Sequence, residues 1–148
     1  MSRQPDDPAG TTTGPPDRQT LRLLETQLES ETLVDETAYE PDVYEPRVLQ
    51  AVFAADQYPA SIQMARLDIR WFTTDDFSLH YIETQTETEC WECRWDRHPN
   101  PHNARLHFHQ PPSAETVTDL SLSSLHPLDV CSTVLTAVDQ RLKTVWTA

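Results

Sequence analysis

Apolar and polar side chains alternate along residues 67–71, where Leu67, Ile69 and Trp71 are separated by Asp68 and Arg70. Period two of this kind buries one face of an extended segment and wets the other, so a half-buried strand is expected within residues 62–72. The Thr73, Thr74, Asp75, Asp76 cluster then reads as a turn, and Phe77, Leu79 and Tyr81 repeat the alternation in a strand reaching about residue 83. Residues 48–54, 89–96 and 104–109 read as further strands, the last stopped by Pro111 and Pro112. Short polar connections with no helical pattern between them favour an antiparallel meander over a parallel sheet. The period changes to that of a helix twice. Leu21, Leu24 and Leu28, with Leu23 widening the stripe, mark a short amphipathic helix from Thr20 to about Ser30. Pro127, placed behind Ser124, suits a first helical position, and Val130, Val134, Leu135, Val138, Leu142, Val145 and Trp146 follow at helical spacing. The fold expected is α+β, a four- to five-stranded antiparallel meander with a C-terminal helix packed on one face.

Composition divides the chain. Residues 1–17 hold both glycines and several prolines with almost nothing apolar, and are expected to be a disordered tail. Residues 18–46 are read as an acidic extension carrying the short helix, and residues 47–148 as a single α+β domain. The 148 residues carry a formal charge of -13, with one lysine, Lys143, beside ten arginines. Such an acid-rich, lysine-poor surface is the composition expected of a protein living in concentrated salt, where a short Debye length suppresses self-repulsion. The same negative charge disfavours broad electrostatic binding of nucleic acid. Neither a secretory signal nor a membrane span is expected, which points to the cytoplasm. Three cysteines fall far short of a disulfide framework. Cys90 and Cys93 would face opposite sides of a strand, so the Cys-Trp-Glu-Cys run is read as sheet packing in preference to a metal or redox pair. Trp71, Trp91, Trp95 and Trp146 are likewise read mainly as core or sheet-face residues.

Against this acidic background, residues 91–112 stand apart. They hold four of the six histidines (His98, His102, His107, His109) and three arginines (Arg94, Arg97, Arg105) against two acids, Glu92 and Asp96. His107, Phe108 and His109 place two imidazoles on one face of a strand. His98 and His102 lie on the preceding loop, which is long enough to fold back over it. Three chemistries fit. Imidazoles could serve as general base and acid with Arg94, Arg97 or Arg105 holding a phosphate, which suffices for metal-free RNA cleavage through the 2′-hydroxyl. Two or three neutral imidazoles with Asp96 could instead bind a divalent metal, although no cofactor is required by the first chemistry. Or Asp96 and one histidine form turn hydrogen bonds and the others are surface residues.

The order of these residues resembles the TumE-like toxin family of toxin–antitoxin loci. The run Tyr81 … Trp91-Glu92-Cys93-Arg94-Trp95-Asp96-Arg97-His98-Pro99-Asn100-Pro101-His102 … Leu106-His107-Phe108-His109, followed by Leu128-Asp129-Val130, carries the likeness. In that family a strand ending in Arg-aromatic-Asp leads to a His-rich loop, a short segment with further histidine, and a closing Leu-rich helix. The resemblance implies a toxin-like protein acting on RNA and neutralised by a small antitoxin-like partner. It points to Arg94, Asp96, His98, His102, His107 and His109 as the site.

Overall fold

A computed structural model describes residues 14–85, 89–98 and 106–147. Its order is helix α1 (Arg18–Glu29), strands β1 (Val34–Glu40), β2 (Val48–Phe53), β3 (Ile62–Trp71), β4 (Phe77–Gln85), β5 (Cys90–Arg97), β6 (Leu106–Gln110) and β7 (Thr116–Asp119), and helix α2 (Pro127–Thr147). The strands form one seven-stranded sheet in sequential order, every neighbouring pair antiparallel. The expected class and the closing helix are therefore present, but the sheet has seven strands where four to five were expected.

The two additional strands are β1 and β7, the edges of the sheet. Every residue of β7 is exposed, and β1 has no fully buried residue. A strand held mainly by backbone pairing on one side needs no apolar face, and charge on an edge protects it from pairing with other chains. Alternation could not reveal either one. Pro111 and Pro112 end β6 as expected, yet the chain turns there and returns as β7.

The boundary placed near Arg47 does not separate an extension from a core. Leu21, Leu24 and Leu28 of α1 are completely buried in the same apolar cluster as Leu49, Leu67, Ile69, Leu79 and Val134. The helix starts where Asp17 accepts a hydrogen bond from the Thr20 amide at 3.1 Å, satisfying one of the amides that open a helix without a partner. Directly after α1, the chain enters β1 and pairs with β2. Its acidic residues are the wet side of an element whose leucines are core.

Period two then decides which side chains face the helices. Leu49, Ala51 and Phe53 of β2, Leu67, Ile69 and Trp71 of β3, Phe77, Leu79 and Tyr81 of β4, and Cys93 and Trp95 of β5 are buried with Val130, Val134 and Val138 of α2. Gln27 of α1 donates to Ser132 Oγ of α2 at 2.9 Å, tying the helices together. Beneath α2 lies one buried polar network. Glu83, with no exposed surface, accepts from Arg141 at 2.8 and 3.0 Å and from Tyr81 at 2.7 Å, and the Tyr81 and Tyr58 hydroxyls are 2.8 Å apart. The Arg141 guanidinium also covers the Trp91 ring at 3.7 Å. Trp146 departs from the expected apolar stripe: it is 57% exposed, its indole donating to the Gln57 carbonyl at 2.8 Å. Among the described residues no helix is long and apolar enough to cross a membrane.

Candidate active site

Among the described residues no helix lies on the opposite face of the sheet, and His80, His98, His107 and His109 gather there. Since Cys93 and Trp95 of β5 point into the core, Arg94 and Asp96 point away from it. Strand β6 pairs with β5 so that Asp96 is opposite His107 and Arg94 opposite His109. Both expected imidazoles therefore share a face, and the register puts them across from a carboxylate and a guanidinium.

Asp96 is the centre. Although it lies on the open face, only 6% of it is exposed, and His107 beside it is 8% exposed. Its Oδ2 accepts from Arg94 Nε at 3.0 Å and lies 2.9 Å from His109 Nε2. Its Oδ1 is buried and accepts no hydrogen bond. Among the described residues, the imidazole nitrogens nearest that oxygen are His107 Nδ1 at 3.8 Å and His98 Nε2 at 4.0 Å. These two nitrogens are 3.1 Å apart, with ring centroids separated by 4.9 Å. His98, directly after β5, is the accessible member, its side chain 46% exposed.

His109 is held at both ends. Besides Asp96, its Nδ1 lies 3.3 Å from the carbonyl of Ala114, a residue whose positive φ of 64° belongs to the turn after β6. The Arg94 guanidinium lies 3.1 to 3.3 Å from the same ring. With Asp96, the Ala114 carbonyl and the Arg94 guanidinium around its two nitrogens, His109 is suited to fixing Asp96. His98 and His107 are the other two imidazoles of the Asp96 group.

The remaining nominated residues divide. Arg97, one position beyond Asp96, turns to the other side of the sheet. It donates to the buried Asp76 at 3.1 Å and to the Thr74 carbonyl at 3.3 Å, an ion pair that pins the β3–β4 turn. It does not join the Asp96 group. His102 and Arg105 lie outside the described residues. Cys90 is exposed and Cys93 buried, so the two thiols do not converge. Burial pushes the Cys93 thiol up to about 12, which leaves it protonated and inert near neutrality.

Sequence reading missed His80, whose Nε2 lies 2.8 Å from Glu92 Oε1 on the same open face. The signal was available: His80 sits between the core residues Leu79 and Tyr81. Burial alone would raise the Glu92 carboxyl, but hydrogen bonds from Cys90 and His80 outweigh it and hold Glu92 below the usual carboxylate range.

A family model described as Toxin TumE matches residues 21–142. The chain belongs to the TumE toxin family. The match begins at Leu21, the first buried leucine of α1, and runs to Leu142 near the end of α2, spanning all seven strands. Neither the curated proteins nor the solved structures yield a match. Membership makes this protein a toxin component, for which the family implies a cognate antitoxin as partner.

Proposed function

We propose that this TumE family member acts in the cytoplasm on RNA, cleaving the backbone through the 2′-hydroxyl with the His98–His107 pair and without a metal. The single observation that carries this reading is the 3.1 Å approach of two imidazoles, one buried and one accessible, beside a fixed carboxylate. In the scheme, His107 removes the 2′-hydroxyl proton, and the Asp96 charge stabilises the imidazolium that results. The 2′-oxygen bonds to phosphorus as the bond to the 5′-oxygen breaks, and His98 delivers a proton to that leaving oxygen. The products carry a 2′,3′-cyclic phosphate and a 5′-hydroxyl. Arg94, anchored to Asp96 through Nε, has further N–H groups to offer the non-bridging phosphate oxygens. Arg105 and His102, nominated from the sequence, are assigned supporting roles on phosphate and leaving group. The acidic composition fits work at high salt, where local geometry counts for more than net charge.

The test is incubation of the purified full chain with RNA in chelator, at low and high salt, with end-group analysis of the products. Cleavage to cyclic phosphate ends is expected, falling about 10²–10⁴-fold in His107→Ala and unchanged in His80→Ala. RNA left intact under both conditions, or cut only when a metal is supplied, overturns the reading. A second reading, a non-enzymatic metal- or protein-binding module, has one observation in its favour: the unpartnered oxygen of Asp96.

A further inference from the structure

We propose that Asp96 Oδ1, His98 Nε2 and His107 Nδ1 form a three-ligand site for a divalent transition metal of the zinc class, and that the bound ion is a brake on the acid–base chemistry of the same pair. The three atoms are 3.1, 3.8 and 4.0 Å apart. A point about 2.1 Å from each lies between them, the usual bond length from zinc to imidazole nitrogen or carboxylate oxygen. Small side-chain adjustments would bring the three ligands to tetrahedral angles.

The second observation is independent of that spacing. Asp96 is more than nine-tenths buried, and its Oδ1 faces the two imidazoles without a hydrogen bond. A buried carboxylate oxygen without a partner is costly, and a cation placed among these three atoms removes the cost. The other oxygen is already engaged by His109 and Arg94, an outer shell that fixes the carboxylate's orientation as metal-ligating groups commonly require. Two imidazoles and one carboxylate suit zinc, nickel or cobalt, whereas calcium and magnesium prefer all-oxygen surroundings. Three protein ligands leave a coordination position open, and the half-exposed His98 gives the site contact with solvent.

An ion bound there takes the lone pairs that proton transfer needs. Zinc should therefore suppress metal-free RNA cleavage, an arm that rests on the function proposed above; the binding itself does not.

The experiment titrates zinc chloride into the chelator-treated full chain by calorimetry and follows thermal unfolding with and without zinc. One equivalent is expected to bind and to raise the Tm. His98→Ala, at a half-exposed position, and Asp96→Asn should each weaken binding at least about tenfold and abolish the Tm shift, while His80→Ala binds as the parent does. Cobalt should give the visible absorption of a low-coordinate site in the parent and lose it in both variants. Absence of stoichiometric zinc binding overturns the proposal, as does binding that His98→Ala and Asp96→Asn leave unchanged. Binding as expected from a chain that cuts no RNA removes only the cleavage reading; cleavage from a chain that binds no zinc removes only the metal site.

Discussion

Glu83 and Asp96 are buried carboxylates on neighbouring strands, and the protein treats them in opposite ways. Glu83 faces the helices, and both of its oxygens are satisfied, by the two donors of Arg141 and the hydroxyl of Tyr81. Asp96 faces outward, and only one of its oxygens is satisfied. A structural carboxylate is expected to be saturated, because whatever it lacks is a cost with no return. One whose second oxygen is left open toward two imidazoles keeps capacity for a proton or a ligand. The difference sets an architectural carboxylate beneath α2 apart from the one on the open face, where the proposed chemistry lies.

The sharpest way to break this contrast is to remove Arg141. Arg141→Ala leaves Glu83 charged, buried and without its cation, and also uncovers the Trp91 ring. Breaking one partner of a buried pair costs about 3–5 kcal/mol, so denaturant unfolding should show a loss of that size. Replacing both partners together, as Glu83→Leu with Arg141→Leu, should recover much of it. A loss under about 1 kcal/mol in the single variant would mean that water reaches Glu83 and that the network is not the anchor of α2.

A comparable loss should appear at alkaline pH, and again from the helix side. Burial pushes the thiols of Cys93 and Cys131 and the phenol of Tyr58 up to about 12, and Tyr81 is raised further still, also by burial. In the unfolded chain thiols ionise near 8.5. The folded values lie above the unfolded ones, so the contribution to stability is complete below about 8.5 and is lost as pH climbs toward 12. Between pH 8.5 and 10 the two thiols alone should account for about 2–4 kcal/mol, read as a falling unfolding midpoint. The double variant Cys93→Ala, Cys131→Ala should be less stable at neutral pH and flatter across this window. An equally steep decline in that variant would place the loss elsewhere.

What could be read along the chain follows from the same geometry. Strands β2 to β6 and helix α2 bury one face each, and a periodic pattern reports that directly, as Leu67, Ile69 and Trp71 do. The stripe on α1 was equally legible, but its membership of the core was not, since counting charges registers the wet side of a helix and misses what its leucines touch. Parity along β6 placed His107 and His109 together; their partnership with Asp96 and Arg94 needed the β5–β6 register, which no local pattern encodes. Arg97 was misplaced because three arginines were grouped by proximity in sequence, whereas one residue along a strand reverses the face. The Glu83–Arg141 pair joins positions 58 residues apart, and nothing near either one announces it.

Asp96→Asn is the smallest change proposed for stability and the one that separates the two carboxylates most directly. The amide keeps the shape of the side chain, and its oxygen can still accept from Arg94, a bond that keeps the guanidinium's charge but is weaker without the carboxylate's. In exchange, the orphaned oxygen is replaced by an N–H donor facing two imidazoles, one of which must offer a lone pair. The opposing effects should leave stability within about 1 kcal/mol of the parent. If the open oxygen is kept for function, this variant should unfold like the parent while losing RNA cleavage and the zinc-dependent rise in Tm. A loss of stability as large as that of Arg141→Ala would instead make Asp96 a second Glu83, a carboxylate retained to hold β5 and β6 together.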